Sequence, residues 1–321
     1  MARRVPRSGS RHPRVRPTAR TIVSASVVST AEPRNAAPKM KSCWPMALAE
    51  IRGLIGLVRP GLYTDDSITR RVNRENILLL GGGRALLMQL AHPKVAAGVD
   101  EHSDFRTHPI QRLRRTVRMI MAIVFGDRDT ALAAARAVNQ AHGRVRGKGY
   151  RALDPDLLRW VHATLIDSAL VTYETFVKPL SAREREDFYQ ESKLLGELLG
   201  VPRDHFPATL RDFNEYVRAM IAQGAVRVEP RAADLARLVV RPRLRLLPGP
   251  AMVPFEVVTA GLLPPPLRQQ YGFAWGGAQR RAFRLMVIAL PRLVAVTPPV
   301  LRVWPLPGHN VSLAPSLSIT S

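Results

Sequence analysis

The chain has 321 residues, 46% hydrophobic and 23% charged. These proportions exclude a wholly disordered protein, and a chain of this size buries about three quarters of its unfolded surface without staples. One cysteine, Cys43, excludes an intramolecular disulfide framework and any cysteine-rich zinc or iron–sulfur site. The net charge of +23 raises nucleic acid and anionic lipid as partners. It is uneven, since residues 1–41 hold ten basic residues and one acid, Glu32. Arginine makes up 42 of the 48 basic residues, a bias that a GC-rich coding sequence also produces.

Residues 1–41 have no aromatics and no apolar period, so they are expected to be disordered. Three explanations stand for them. One is a basic arm for nucleic acid or anionic lipid. Another is a targeting peptide, with the twin arginine Arg3-Arg4 ahead of the weakly apolar run Thr21 to Ala31. The third, which we prefer, is an over-extended start with translation from Met40 or Met46, because nothing before residue 44 resembles folded protein. The expected organisation is a basic extension over 1–45, one large helical domain over 46–305, and a flexible tail over 306–321. No stretch is long and apolar enough to span a membrane; the apolar run near 285–303 is cut by Pro291, Pro298, Pro299 and arginines.

Helix signals follow in series over 65–225. Asn73 to Gln89 is apolar around Gly81-Gly82-Gly83 and stops before Pro93. The His108-Pro109 pair opens the next helix, with proline suited to the first turn. Its apolar period is Ile110, Leu113, Val117, Ile120, Met121 and Val124. Asp127 and Asp129 start a third helix, whose stripe is Ala131, Ala134, Ala135, Val138, Ala141, His142 and Val145, ended by Gly147 and Gly149. Asp154-Pro155 caps a fourth, which buries Leu158, Val161, His162, Leu165, Ala169 and Thr172. Two more amphipathic helices span 181–200 and 207–223, started by Ser181 and a proline. No period-two strands, hairpin or repeats are evident. Residues 226–321 are rich in proline, with helices expected at 231–240 and 277–296. The fold class is all-α: a helical core over 65–225 and a proline-rich, partly helical segment over 226–305 packed on it as a basic rim.

The chemistry is carried by histidine and arginine. Gly81-Gly82-Gly83 is not a phosphate loop, because no Lys-Ser/Thr follows and no strand precedes it; helix packing or a helix break is expected. No H-E-x-x-H or G-x-S-x-G occurs. His92, His102 and His108 fall in the connection between two helices, whereas His142 and His162 sit on apolar stripes. A lone histidine there is usually a core residue; two on consecutive helices raise the case for a shared buried site, and a neutral imidazole suits haem iron or another transition metal. Arg112, Arg115 and Thr116 share a helix face opposite the apolar one. That face is either a solvated cationic surface or an anion clamp, fit for carboxylates such as haem propionates.

These motifs resemble a known family. The string GGGRALLMQLAHPKVAAGVDEHSDF, then RLRRT, FGD, His142-x-x-Val-x-Gly147, Tyr150 to Pro155 and WVHAT are similar to the MpaB-type oxygenases, a group that includes the rubber oxygenase (latex clearing protein) catalytic domain. The resemblance covers roughly 65–300. It implies a mostly α-helical protein with non-covalent haem b, using dioxygen on apolar, often isoprenoid substrates; the absence of C-x-x-C-H agrees. It implies that Arg112 and Thr116 lie on the distal side and that His142 is the proximal iron ligand. Arg115 stands where the rubber enzymes carry lysine. His162 and His92 belong to the pattern without assigned roles.

The resulting expectation is a haem b-dependent oxygenase or oxidase. Arg112 and Arg115 would hold a propionate or polarise oxygen, Thr116 would add a hydrogen bond, and His142 would bind iron, with His162, His92 and Arg112 around the cofactor. Two alternatives remain open: a non-haem metal site built from His92, His142 and His162, and a basic membrane- or nucleic-acid-binding protein without catalysis. The expected partners are a small apolar substrate and a peripheral membrane contact, with nucleic acid disfavoured. The expected location is the cytoplasm, twin-arginine export being the alternative.

Overall fold

A computed structural model describes residues 60–242 and 249–304. The basic extension and the 306–321 tail expected from the sequence lie outside the described residues. Within them the chain forms thirteen α-helices and one two-stranded hairpin, so the fold is all-α. No helix among the described residues is long and apolar enough to cross a membrane.

Local caps set the helix starts. Helix α4 (Pro109–Phe125) opens on Pro109, and α5 (Arg128–Arg144) on Asp127, whose carboxylate accepts from Thr130 N at 2.8 Å. Helix α6 (Pro155–Phe176) begins after Asp154, which accepts from Asp156 N. Helix α7 (Ala182–Leu198) starts with a reciprocal pair: Ser181 N donates to the Glu184 carboxylate at 2.8 Å and Glu184 N donates to Ser181 Oγ at 3.2 Å. The same device, Thr209 with Asp212, starts α8 (Leu210–Ala222) two residues later than the proline expected to do so.

The region expected as one helix over 73–89 is broken into α1 (Ile68–Asn73), a 3-10 turn (Asn76–Gly81) and α2 (Gly82–Leu90). Close packing on α6 and on α10 (Val253–Leu262) explains why glycine stands at this junction. A Cβ on Gly81 would lie 2.1 Å from Thr172 Oγ1, and one on Gly83 would lie 2.4 Å from Thr259 Oγ1. The stretch after Pro93, expected as a connection, is helix α3 (Pro93–His102), because Pro93 follows the end of α2 at Leu90 and also occupies the first turn of a new helix. A hairpin the sequence did not suggest pairs Arg146–Gly147 with Tyr150–Arg151, and Gly149 supplies the positive φ of its turn, +79°.

Three polar ties hold these elements in place. Arg84 on α2 is buried; its Nε donates to Leu262 O (2.8 Å), Nη1 to Ser168 Oγ (2.8 Å) and Nη2 to Asp167 Oδ2 (2.6 Å). Glu191 of α7 receives Ser67 Oγ and the amides of Ile68 and Thr69, holding the start of α1 where the helix dipole favours a carboxylate. Arg302 of α13 (Pro299–Arg302) donates both Nε and Nη2 to Glu75 at 2.7 Å.

The segment after residue 226 supplies part of the core it was expected to cover. Leu235, Val239 and Val240 of α9 (Pro230–Val240), with Leu263 and Leu267 at the start of α11 (Pro265–Gln270), join Leu87, Met88, Trp160, Tyr173 and Phe188 in one buried cluster. Helix α12 (Gly277–Val296) packs on α10 and α6 through Phe283, Val287 and Leu290.

The glycine junction gives a direct test. Gly81→Ala and Gly83→Ala should each destabilise the fold by about 1–3 kcal/mol through overpacking. Thr172 cannot turn aside freely, because its hydroxyl donates to Ser168 O at 2.6 Å. Gly82→Ala should be tolerated, since the nearest atom to its Cβ is Leu113 Cδ1 at 3.9 Å. Thermal unfolding of the three variants checks this.

Candidate functional site

Helix α4 runs along a cavity whose wall also includes residues of α1, α2, α6 and α7. The cavity measures about 190 Å³, within a cleft whose empty space, open solvent included, is about 1220 Å³. From α4 the wall takes Arg112, Leu113, Thr116, Val117 and Ile120. Arg112 and Thr116 therefore do not oppose the apolar stripe, as the sequence suggested. They stand one position beside Leu113 and Val117, about 100° around the helix, and share their view of the cavity. The stripe itself is largely half-buried rather than core: only Ala122, Ile123 and Val124 of α4 are buried, and Leu113 is exposed.

The two arginines part company. Arg115 pairs with Asp104 at the rim. The Arg112 guanidinium has no hydrogen-bond or ion-pair partner among the described residues and lies over the buried Phe105 ring, 5.5 Å from its centroid. Burial, with added repulsion from Arg115 and partial relief from Asp104, pushes its pKa down to about 10. It remains a cation at neutral pH, held in a mainly apolar wall. Thr116 Oγ1 donates to Arg112 O at 3.2 Å. The contribution of Asp104 and Phe105 escaped the sequence reading, although both belong to the segment just before RLRRT.

His142 is half-buried on α5, the helix that packs most extensively along α4. Its Nδ1 is buried without a partner, and burial together with the Arg112 charge lowers its pKa, so the ring is neutral near pH 7. It stands beside Arg112 electrostatically but is not in the cavity wall. Asn139, one turn earlier, donates to Leu198 O at 2.8 Å and fixes this end of α5 against α7.

His162 and His92 lie elsewhere. His162 is buried on α6 beyond the wall residues Leu165 and Ile166, edge-on to Phe206 at 5.4 Å and 3.2 Å from where a Cβ on Gly196 would be. Neither ring nitrogen has a partner, and burial lowers its pKa to about 4. His92 precedes α3 with its Nδ1 buried and unpartnered; burial and Lys94 lower its pKa. Neither lines the cavity. Among the described residues no three His, Cys, Asp or Glu side chains come together as a metal site, which removes the three-histidine alternative. Periodicity places each histidine on an inward stripe but does not say which neighbour that stripe faces.

The far wall includes residues that no local signal marked. Trp304 reaches the cavity from the end of the described chain, held by Trp304 N donating to Arg74 O at 3.0 Å and by the Arg302–Glu75 pair.

Comparison with known families supplies the class of protein: the family model of an oxygenase catalytic domain matches residues 69–292, most of the chain. The chain belongs to the family described as ER-bound oxygenase mpaB/B'/rubber oxygenase, catalytic domain. The match spans α1 to Arg292 and includes Arg84, Arg112, Thr116 and His142, as the sequence motifs implied. No curated protein and no solved structure gives a match.

The buried His162 sets an acid limit. Its folded pKa lies below the ordinary value of 6.5, so the unfolded chain binds the extra proton first. Stability should be complete above about pH 6.5 and decline by up to about 3 kcal/mol as pH falls toward 4. In His162→Leu that acid-side loss should shrink relative to the variant's own stability at pH 7, as read by thermal unfolding across the same pH range.

Proposed function

We propose that this chain is a haem b-dependent oxygenase that acts with dioxygen on an apolar, isoprenoid or lipid-like substrate. Membership of the oxygenase family supplies the reaction class. The observation that carries the cofactor is the Arg112 guanidinium, a cation without a carboxylate partner among the described residues, in the wall of an otherwise mainly apolar cavity; its charge also reaches His142, which lies outside that wall and whose Nδ1 has no partner among the described residues. A flat apolar group bearing carboxylates fits the chemistry of that combination; the cavity itself, at about 190 Å³, is smaller than the ~300–1,000 Å³ of ordinary ligand pockets and opens into a wider cleft.

In this reading Arg112 holds a propionate by a charge-assisted fork. His142, on α5 and outside the residues that line the cavity, would be the group to offer an imidazole nitrogen to iron, and its neutral state leaves a lone pair free. Thr116 keeps Arg112's turn of the helix in place and presents its remaining lone pairs to the cavity. Arg115, engaged by Asp104, leaves the carboxylate-binding role to Arg112 and sets the local field through its charge. Leu113, Val117 and Ile120 exclude water and receive an apolar substrate. The haem, when bound, supplies the activation of dioxygen.

The purified chain should show a Soret band and a b-type pyridine haemochrome. His142→Ala should lose iron ligation, seen as a changed Soret position and loss of the bound fraction. Arg112→Gln should weaken haem retention about tenfold, the weight of one charge-assisted contact, with little change in the spectrum of what remains bound. A colourless protein that takes up no added haemin overturns the proposal.

A further inference from the structure

Helix α12 is apolar on two opposite sides. The inner side packs on α10 and α6, as described above. The outer side presents Leu285 (66% exposed), Ile288, Leu293 and Val296 (77%), and continues into Val300 (81%) and Leu301 of α13. Contiguous exposed apolar surface of this kind marks an interaction site on a soluble protein. Arg281, Arg284 and Arg292 stand on the same exposed side, and none has an ion-pair partner among the described residues. From Val257 to Trp304 the chain carries six arginines and no acid.

We propose that the outer face of α12 and α13 docks on an anionic lipid surface, with α12 lying in the plane of the headgroups. Leucine, isoleucine and valine side chains enter the acyl boundary while unneutralised guanidinium groups meet lipid phosphates. Charge selects lipid over a second copy of the chain: a two-fold contact through this face would set the same arginines against one another with no carboxylate between them. Continuity with the cavity adds to the case. Asn76 Nδ2 donates to Leu301 O at 2.7 Å, so α13 rests on the 3-10 turn that carries Leu79. Leu79, Leu113 and Trp304 line the cavity, and both leucines are exposed. An apolar substrate dissolved in the bilayer would meet the cavity mouth at the docked face. The docking itself does not rest on the haem reading, and its readout is lipid binding alone.

The test is co-sedimentation of the full chain with phosphatidylcholine vesicles, with and without phosphatidylglycerol. Binding should require phosphatidylglycerol and weaken as salt rises. The double variant Leu285→Asp/Ile288→Asp should bind at least about tenfold more weakly, and Arg281→Glu/Arg284→Glu should lose the preference for anionic vesicles. All four positions are exposed, so circular dichroism should be unchanged. A full chain with the arginines of residues 1–41 changed to serine separates the basic extension from α12, and it should retain binding. Three results overturn the proposal: no sedimentation of the wild-type chain, equal binding by the α12 variants, or binding lost only with the extension's arginines. A wild-type dimer that Leu285→Asp/Ile288→Asp converts to monomer, without lipid binding, would assign the face to a second copy instead.

Discussion

Arg84 is a cation with almost no access to water, and much of the architecture follows from the need to compensate it. A buried charge persists only where each of its donors finds an acceptor. Here the acceptors come from a carboxylate and a hydroxyl on α6 and a carbonyl at the end of α10. Three elements distant in sequence are therefore pinned to one planar group. Gly81 and Gly83 let the backbones come close enough for the reach to be short. Ser168, one of the acceptors, also faces the cavity, so the charge behind the wall and the surface in front of it share a side chain.

In front of that wall the electrostatics take the opposite form. Asp104 neutralises Arg115 and leaves Arg112 facing apolar surface, where among the described residues it is steadied by the Phe105 ring alone. A cation of this kind gains most from a ligand that brings its own carboxylate, because the desolvation cost is already borne by the folded protein. Burial lowers the pKa of His142, and the Arg112 charge adds to that shift. Arg112 thus acts twice, as a receptor for an anion and as a lesser contributor to the neutral form of a neighbouring imidazole.

Local chemistry was legible in the sequence and long-range placement was not. Asp127, Asp154 and Ser181 announce their helices because a cap is a contact between residues two or three apart. Helix α3 was missed because Pro93 marks the end of one helix and the beginning of the next with the same residue. The hairpin at 146–151 was missed because two residues per strand carry no period. The apolar stripe on α4 is legible, but not what it faces, since periodicity identifies an apolar face without saying whether side chains or empty space lie opposite. For the same reason Arg112, Thr116 and His142 could be proposed from motif spacing, while the separation of His162 and His92 from them required the packing of α3, α6 and α7. Trp304 lies more than a hundred residues from every other residue that lines the cavity, beyond any local signal.

The pairing of Glu75 with Arg302 spans 227 positions of the chain. Loop closure over such a distance is entropically costly and kinetically late, so contacts of this kind form after the local helices are in place. On the ribosome, Glu75 and the turn beside it emerge long before their partner exists. The cavity consequently has an order of construction: most of its wall comes from residues between Thr69 and Leu195, and Trp304 can join only after the intervening segment has been made. A nascent chain would expose an open apolar trough during that interval.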